Sequence, residues 1–517
     1  MASNSIVVEA PAGMLGGIED GGLRVFKGVP YASPPVGDAR WKPPAPMLAW
    51  KGVRQATAFG PPCTQPDYPA GSIYAAELPA GSEDCLSLNI WAPKEARGAP
   101  VFVWIHGGAL WRGCSCDPMY DGVKLAGRGL VVVSINYRMG ILGYLAHPEL
   151  SAESPDGISG NYGLLDQVAA LRWVRDNIAA FGGDPANVTI AGESAGGLSV
   201  LYLMASPLAK GLFSKAIAQS AYMISTPALR EEQHGEKPAE TAGLDIAAAL
   251  GAKNLAELRA MDARQITDAA LRAGFLPFAA IDGKIMPRQL VDVFDRGEQA
   301  RVPLLAGFNS GEIRSLRFLA PKPPEDAAAY TAIVRRLFGD LADRFLALYP
   351  PSDMEESILA AARDAIYGWT AERLAVKQSA LGLPAYLYVF DHGYPAADDA
   401  GLHAFHAAEL PYLFGSEDDT PPLWPKIPGT SEERELGAAM AGYWASFART
   451  ATPLADGQPD WMPYADGAAH IRFAGRPHAG IELFPGMYDL HEEVVSRRRA
   501  AGNVPWNWNF GIASPAL

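Results

Sequence analysis

The chain has 517 residues, nearly half of them apolar, and a formal net charge of −14 at pH 7. Such a composition suits a large buried core, and the negative balance argues against nucleic acid or an anionic membrane as a partner. No apolar run is long enough for a transmembrane helix, and no linker, repeat or low-complexity block divides the chain, so one domain over 1–517 is expected.

In chain order, the first strong strand signal is the apolar run 101–105, followed by His106-Gly107-Gly108-Ala109-Leu110. Small residues in such a turn leave backbone N–H groups free to point at developing negative charge, which makes Gly108 and Ala109 candidate oxyanion donors. His106 reads as a packed loop histidine. A second strand is expected at 130–135, a helix at 164–180 and a third strand at 187–191. Directly after it comes Gly192-Glu193-Ser194-Ala195-Gly196, then a helical segment at 198–205. This is the strand-to-helix context of a nucleophile elbow, in which glycines two before and two after let backbones pass while the serine Oγ points outward. The N–H of Ala195 would join those of Gly108 and Ala109 in the oxyanion hole.

A strand at 215–219 precedes a helical stretch at about 225–300, and a short apolar run at 302–307 leads to Glu312. Open α/β sheets keep their chemistry at the carboxyl ends of such strands, which singles out Glu312 among 57 acidic residues. A second helical stretch covers about 320–380, and a last strand at 385–390 leads to a loop holding His403 and His406. A serine hydrolase of this order needs its histidine after its acid, and the residues alone do not separate these two. Strands alternating with helices imply an α/β protein with a doubly wound, mostly parallel sheet, and the two helical stretches would lie over the active site.

Several motifs in order resemble the type-B carboxylesterases, the group that holds the cholinesterases and bacterial para-nitrobenzyl esterases. They are Phe26-Lys27-Gly28-Val29-Pro30-Tyr31-Ala32, Glu83-Asp84-Cys85-Leu86-Ser87-Leu88-Asn89-Ile90, Asn136-Tyr137-Arg138, Phe181-Gly182-Gly183-Asp184-Pro185 and the elbow itself. The likeness runs from about residue 7 to about residue 475. It implies an α/β-hydrolase fold with Ser194 as nucleophile, Glu312 as acid and His406 as base, the last from His406-Ala407-Ala408-Glu409-Leu410-Pro411. Ser220 matches a serine that hydrogen-bonds near the acid, and His403, lacking that context, becomes a lining residue with Gly107, Leu110 and Trp111. Cys63 and Cys85 match the first disulfide of the family.

The resemblance implies cleavage of small-molecule carboxylic esters through an acyl-enzyme, without metal or cofactor. His-Glu-x-x-His, Cys-x-x-Cys and a phosphate-binding loop are all missing from the sequence. Short-chain or bulky-alcohol esters are expected from the Gly-Gly-Ala turn, with Arg112 facing inward as a weaker alternative that would favour acidic substrates. Lipase, amidase and acyltransferase activity use the same triad, and a non-catalytic cholinesterase-like binding protein is the rival from another class. Cys114 and Cys116, two residues apart, are expected to bridge poorly and to stay thiols. Residues 1–5 lack the basic start and apolar core of a signal peptide, so a periplasmic or secreted location is expected if a leader was replaced, and a cytoplasmic one otherwise. Monomer and dimer both remain open.

Overall fold

The computed structural model describes residues 4–507 and 511–517. The first three residues of the stretch read for a leader lie outside them. Its described residues build one sheet of thirteen strands: β1 (Asn4–Ala10), β2 (Gly13–Asp20), β3 (Leu23–Pro30), β4 (Val53–Gln55), β5 (Ser87–Pro93), β6 (Ala99–Ile105), β7 (Val131–Ile135), β8 (Gly183–Glu193), β9 (Lys215–Gln219), β10 (Leu304–Asn309), β11 (Ala385–Phe390), β12 (Ala469–Ala474) and β13 (Arg476–Ile481). Their spatial order is β1-β2-β3-β5-β7-β6-β8-β9-β10-β11-β12-β13, with β4 beside β2. From β7 to β12 every pairing is parallel, and antiparallel strands close both ends.

The parallel centre follows from composition. Every residue of β7, β10 and β11 is buried, as strands covered by helices on both faces must be. Along β6 the side chains alternate between two cores: Val101, Val103 and Ile105 join one, Phe102 and Trp104 the other. The expected strands are all present, but β8 starts at Gly183, earlier than the apolar run suggests. Strands β1 to β5 escape a search for apolar runs because Gly and polar residues interrupt them, and β4 is exposed throughout.

The expected helical stretches are helical in pieces, including Ala239–Ala249, Ala263–Arg272, Ala327–Phe338 and Trp369–Ser379. The run Arg497-Arg498-Arg499 in the helix Met487–Ala501 is not uniform. Arg498 is buried and donates to the carbonyl of Pro515, while its neighbours form ion pairs.

Two readings of the cysteines are corrected. The bond joins Cys114 to Cys116, whose Cα atoms the local turn brings to 5.0 Å, inside the range a disulfide spans. Cys63 and Cys85 are buried free thiols in hydrogen-bond contact with each other, and that contact, with burial, pushes the Cys85 thiol well up.

Candidate active site

The carboxyl ends of β6, β8, β9, β10 and β11 converge on one region, each delivering a residue from the turn that follows it. After β8, Ser194 has φ +57° and ψ −121°, a strained left-handed turn that carries the chain into the helix Ala195–Ala205. Its N–H is held by the carbonyl of Gln219 at 3.0 Å, and it is the only residue between Ala191 and Val200 that is not buried. Gly196 is compulsory here: a Cβ would stand 2.0 Å from the carbonyl oxygen of Ile105. Gly107 also packs against the serine, where a Cβ would lie 3.1 Å from that of Ser194.

After β6, Gly108, Ala109 and Leu110 have φ of +102°, +57° and +58°. This left-handed run folds the Gly108 carbonyl back onto the N–H groups of Trp111 and Arg112, at 3.0 and 2.9 Å. Among the described residues no protein acceptor takes the N–H of Gly108 or Ala109. His106 stacks on Tyr137 and burial drops its pKa to about 4, which fits the packed histidine expected of it.

After β10, Glu312 is fully buried. Its Oε1 accepts from Ser220 Oγ at 2.6 Å and from the N–H of Asn309 at 2.8 Å, while Oε2 meets His406 Nδ1. The other ring nitrogen, Nε2, stands 3.1 Å from Glu193 Oε1. No hydrogen bond links Ser194 Oγ to that nitrogen among the described residues, a looseness common before substrate is bound. Burial lowers the pKa of His406, but Glu193 and Glu312 outweigh it and carry the imidazole up to about 9. Burial pushes the Glu193 carboxyl to about 8 and that of Glu409 to about 7.

Glu193 and Glu409 are the acids that sequence reasoning passed over. Glu409 accepts from Gln219 Nε2 at 3.0 Å and Asn309 Nδ2 at 2.7 Å, tying β9 and β10 to the turn that carries His406. The clue was their spacing, one residue before the serine and three after the histidine. Tyr367 was missed too, as was the approach of Tyr74 to the histidine. The Tyr74 hydroxyl donates to the carbonyl of His406 at 3.0 Å, and the Tyr367 ring lies 5.4 Å from the imidazole.

Two expected lining residues, Leu110 and His403, move, and Arg112 does not take up its weaker alternative. Leu110 has no exposed surface and sits in the main core. Arg112 turns away from the pocket, donating to the carbonyl of Asp67 and lying over the Tyr68 ring. His403 faces Asp398 and Asp391, at 2.9 and 3.3 Å, because the backbone reverses at its φ of +50°. Trp111 is buried in the same core as Leu110, packed edge-on against Phe275 from the first helical stretch.

Comparison with known proteins supplies the deciding observation: the model of the carboxylesterase family matches residues 4–478. The chain belongs to the carboxylesterase family. Across 497 residues this carboxylesterase is 37% identical to the fumonisin B1 esterase of Sphingopyxis macrogoltabida, covering 92% of its own length and 88% of the relative. It is also 37% identical to the para-nitrobenzyl esterase of Bacillus subtilis, covering 89% and 92%. A solved PNB esterase superposes with a TM-score of 0.81 at 34% identity, over 94% of this chain and 99% of that one. A Geobacillus stearothermophilus carboxylesterase gives 0.77 at 32%, over 96% and 99%. The fold is therefore that of the α/β-hydrolases, and the carboxylesterase hydrolyses carboxylic esters of small molecules. None of its described helices is long and apolar enough to cross a membrane.

Proposed function

We propose that this carboxylesterase works through a Ser194-His406-Glu312 triad. His406 takes the proton of Ser194 as Oγ attacks the acyl carbon, and Glu312 holds the imidazole in the tautomer with its proton on Nδ1 and stabilises the imidazolium. The N–H groups of Gly108, Ala109 and Ala195 receive the negative oxygen of the tetrahedral intermediate. His406 then returns the proton to the leaving alcohol, and a water activated by the same nitrogen releases the acid. Ser220 fixes Glu312. The observation that carries this reading is the meeting of a strained serine, a histidine bonded to a buried carboxylate, and a turn with two free N–H groups, in the chain order such hydrolases use.

The catalytic unit is one domain over 1–517, with helical insertions at about 225–300 and 320–380. Its substrates are short-chain esters, those of bulky alcohols included. What supports this is the Gly108 carbonyl, which the N–H groups of Trp111 and Arg112 draw back, leaving room beside the scissile bond. The Cys114–Cys116 bond supports a periplasmic or secreted location, where disulfides persist.

A panel of para-nitrophenyl esters from acetate to palmitate, with tert-butyl acetate, a para-nitrobenzyl ester, fumonisin B1, an anilide and triolein, tests the reading. Fastest turnover at acetate or butyrate, with measurable tert-butyl acetate hydrolysis, is expected. A maximum on long acyl chains at an oil-water interface and no tertiary ester turned over would make lipase the better reading.

A further inference from the structure

His403 lies three residues before the base and takes no part in the triad, yet its ring is fixed at both nitrogens. Nδ1 stands 2.9 Å from Asp398 Oδ1, on the short helix Pro395–Asp399, and Nε2 stands 3.3 Å from Asp391 Oδ1, directly after β11. Asp391 is anchored in turn: its other oxygen pairs with Arg472 of β12 at 2.7 Å, and its N–H bonds to the carbonyl of Phe473. Gly393 lets the ring in, since a Cβ there would stand 2.2 Å from His403 Nδ1.

A neutral imidazole has one N–H and one lone pair. Facing two carboxylate oxygens, it can donate to one and must turn a lone pair toward the other. Only the imidazolium satisfies both. The residues after it then dock on the acid's strand: the carbonyl of Ala404 accepts from the N–H of Gly311 at 2.8 Å, and that of Phe405 from Asn309 Nδ2 at 2.7 Å.

We propose that His403, as an imidazolium held between Asp391 and Asp398, is a positioning residue that clamps the loop carrying His406 onto the end of the sheet. The proposal rests on His406 being the base. Both aspartates raise the pKa of His403, Asp391 through the larger effect, against the lowering by burial. The favourable contribution of the clamp is therefore complete at low pH and is lost as pH rises through that raised pKa. His406 must be neutral to act and His403 must be charged, so loss of the first proton raises turnover and loss of the second lowers it, and a permanent charge at position 403 removes only the second effect.

The test is kcat and KM for a short-chain ester from pH 5 to 10, normalised to the fraction of Ser194 labelled by a fluorophosphonate, in the wild type, H403Q, H403R and D398N. The ratio of wild-type kcat to that of H403R should fall with rising pH by roughly two- to tenfold as His403 loses its proton, the scale of one or two partly exposed ion pairs. H403Q should show that loss already at neutral pH, with KM little changed and its ratio to H403R level across the range, and in D398N the fall should come at lower pH. H403R, with its permanent charge, should match the wild type at neutral pH. A wild-type ratio to H403R that does not change with pH, or H403R failing as H403Q does while both label fully, would overturn the clamp. Labelling that misses Ser194 in the wild type would instead overturn the triad on which it rests.

Discussion

Glu193 Oε1 stands 3.1 Å from Nε2 of His406, the nitrogen that in the proposed mechanism receives the proton of the neighbouring serine. The acid that ends β8 and the proposed nucleophile after it are consecutive residues, so the turn that strains Ser194 also aims a buried carboxylate at His406. A negative group there favours the imidazolium formed as the serine attacks, and equally favours it before substrate arrives. Its effect on the rate is therefore set by pH.

In the wild type, rate should rise as pH passes through the pKa of His406, which Glu193 and Glu312 hold above the usual histidine range of about 6.5. Glu193→Gln removes one of these charges, so the charged imidazole loses a partner and the acid limb should move to lower pH, by about one unit or more. Measuring kcat/KM against pH for the two proteins decides it. An unmoved limb would mean that Glu193 is not felt at Nε2.

Ser194→Ala should lower kcat by on the order of 10⁴ or more, leaving folding unchanged. A fluorophosphonate should add to one residue, found by peptide mass in the Ser194 peptide. Attachment elsewhere would falsify the elbow assignment.

Glu312 collects three donors, from Ser220, Asn309 and His406. Glu312→Gln should reduce turnover by about 10³ to 10⁴, because an amide can present its N–H₂ to the imidazole and select the wrong tautomer. Ser220→Ala, which leaves the carboxylate but removes one of its bonds, should cost roughly tenfold. Equal losses in the two variants would contradict the division of roles.

The thiols give a chemical check. Without reductant, the native protein should be inert to a thiol reagent, and the denatured protein should titrate two thiols, at Cys63 and Cys85. With reductant and denaturant, Cys114 and Cys116 should bring the number to four. A Cys63–Cys85 crosslink in the unreduced peptide map would reverse this pairing.

What was legible in the sequence was what is local. The elbow and the oxyanion turn each carry their geometry within a few residues, and β6 and β11 are unbroken apolar runs, so both the parallel centre of the sheet and the residues after its strands could be read. The approach of Tyr74 to a residue 332 positions away could not. Nor could the fate of Leu110 and Trp111: a left-handed run turns both into the main core, where Trp111 meets Phe275 from a helical stretch far along the chain. The cysteines misled for a related reason. Spacing in sequence suggested that Cys114 and Cys116 bridge poorly, and a turn whose path is set by Ser115, held between Asn89 and Asn136, brings them within reach.

The retracted carbonyl of Gly108 is held by Trp111 and Arg112 through their main-chain nitrogens, not their side chains. The path of the turn is thereby independent of what those two side chains are. Any amino acid except proline can stand at either position and still supply its N–H, so both side chains are free to drift through substitution while the N–H groups assigned to the proposed oxyanion hole stay where they are.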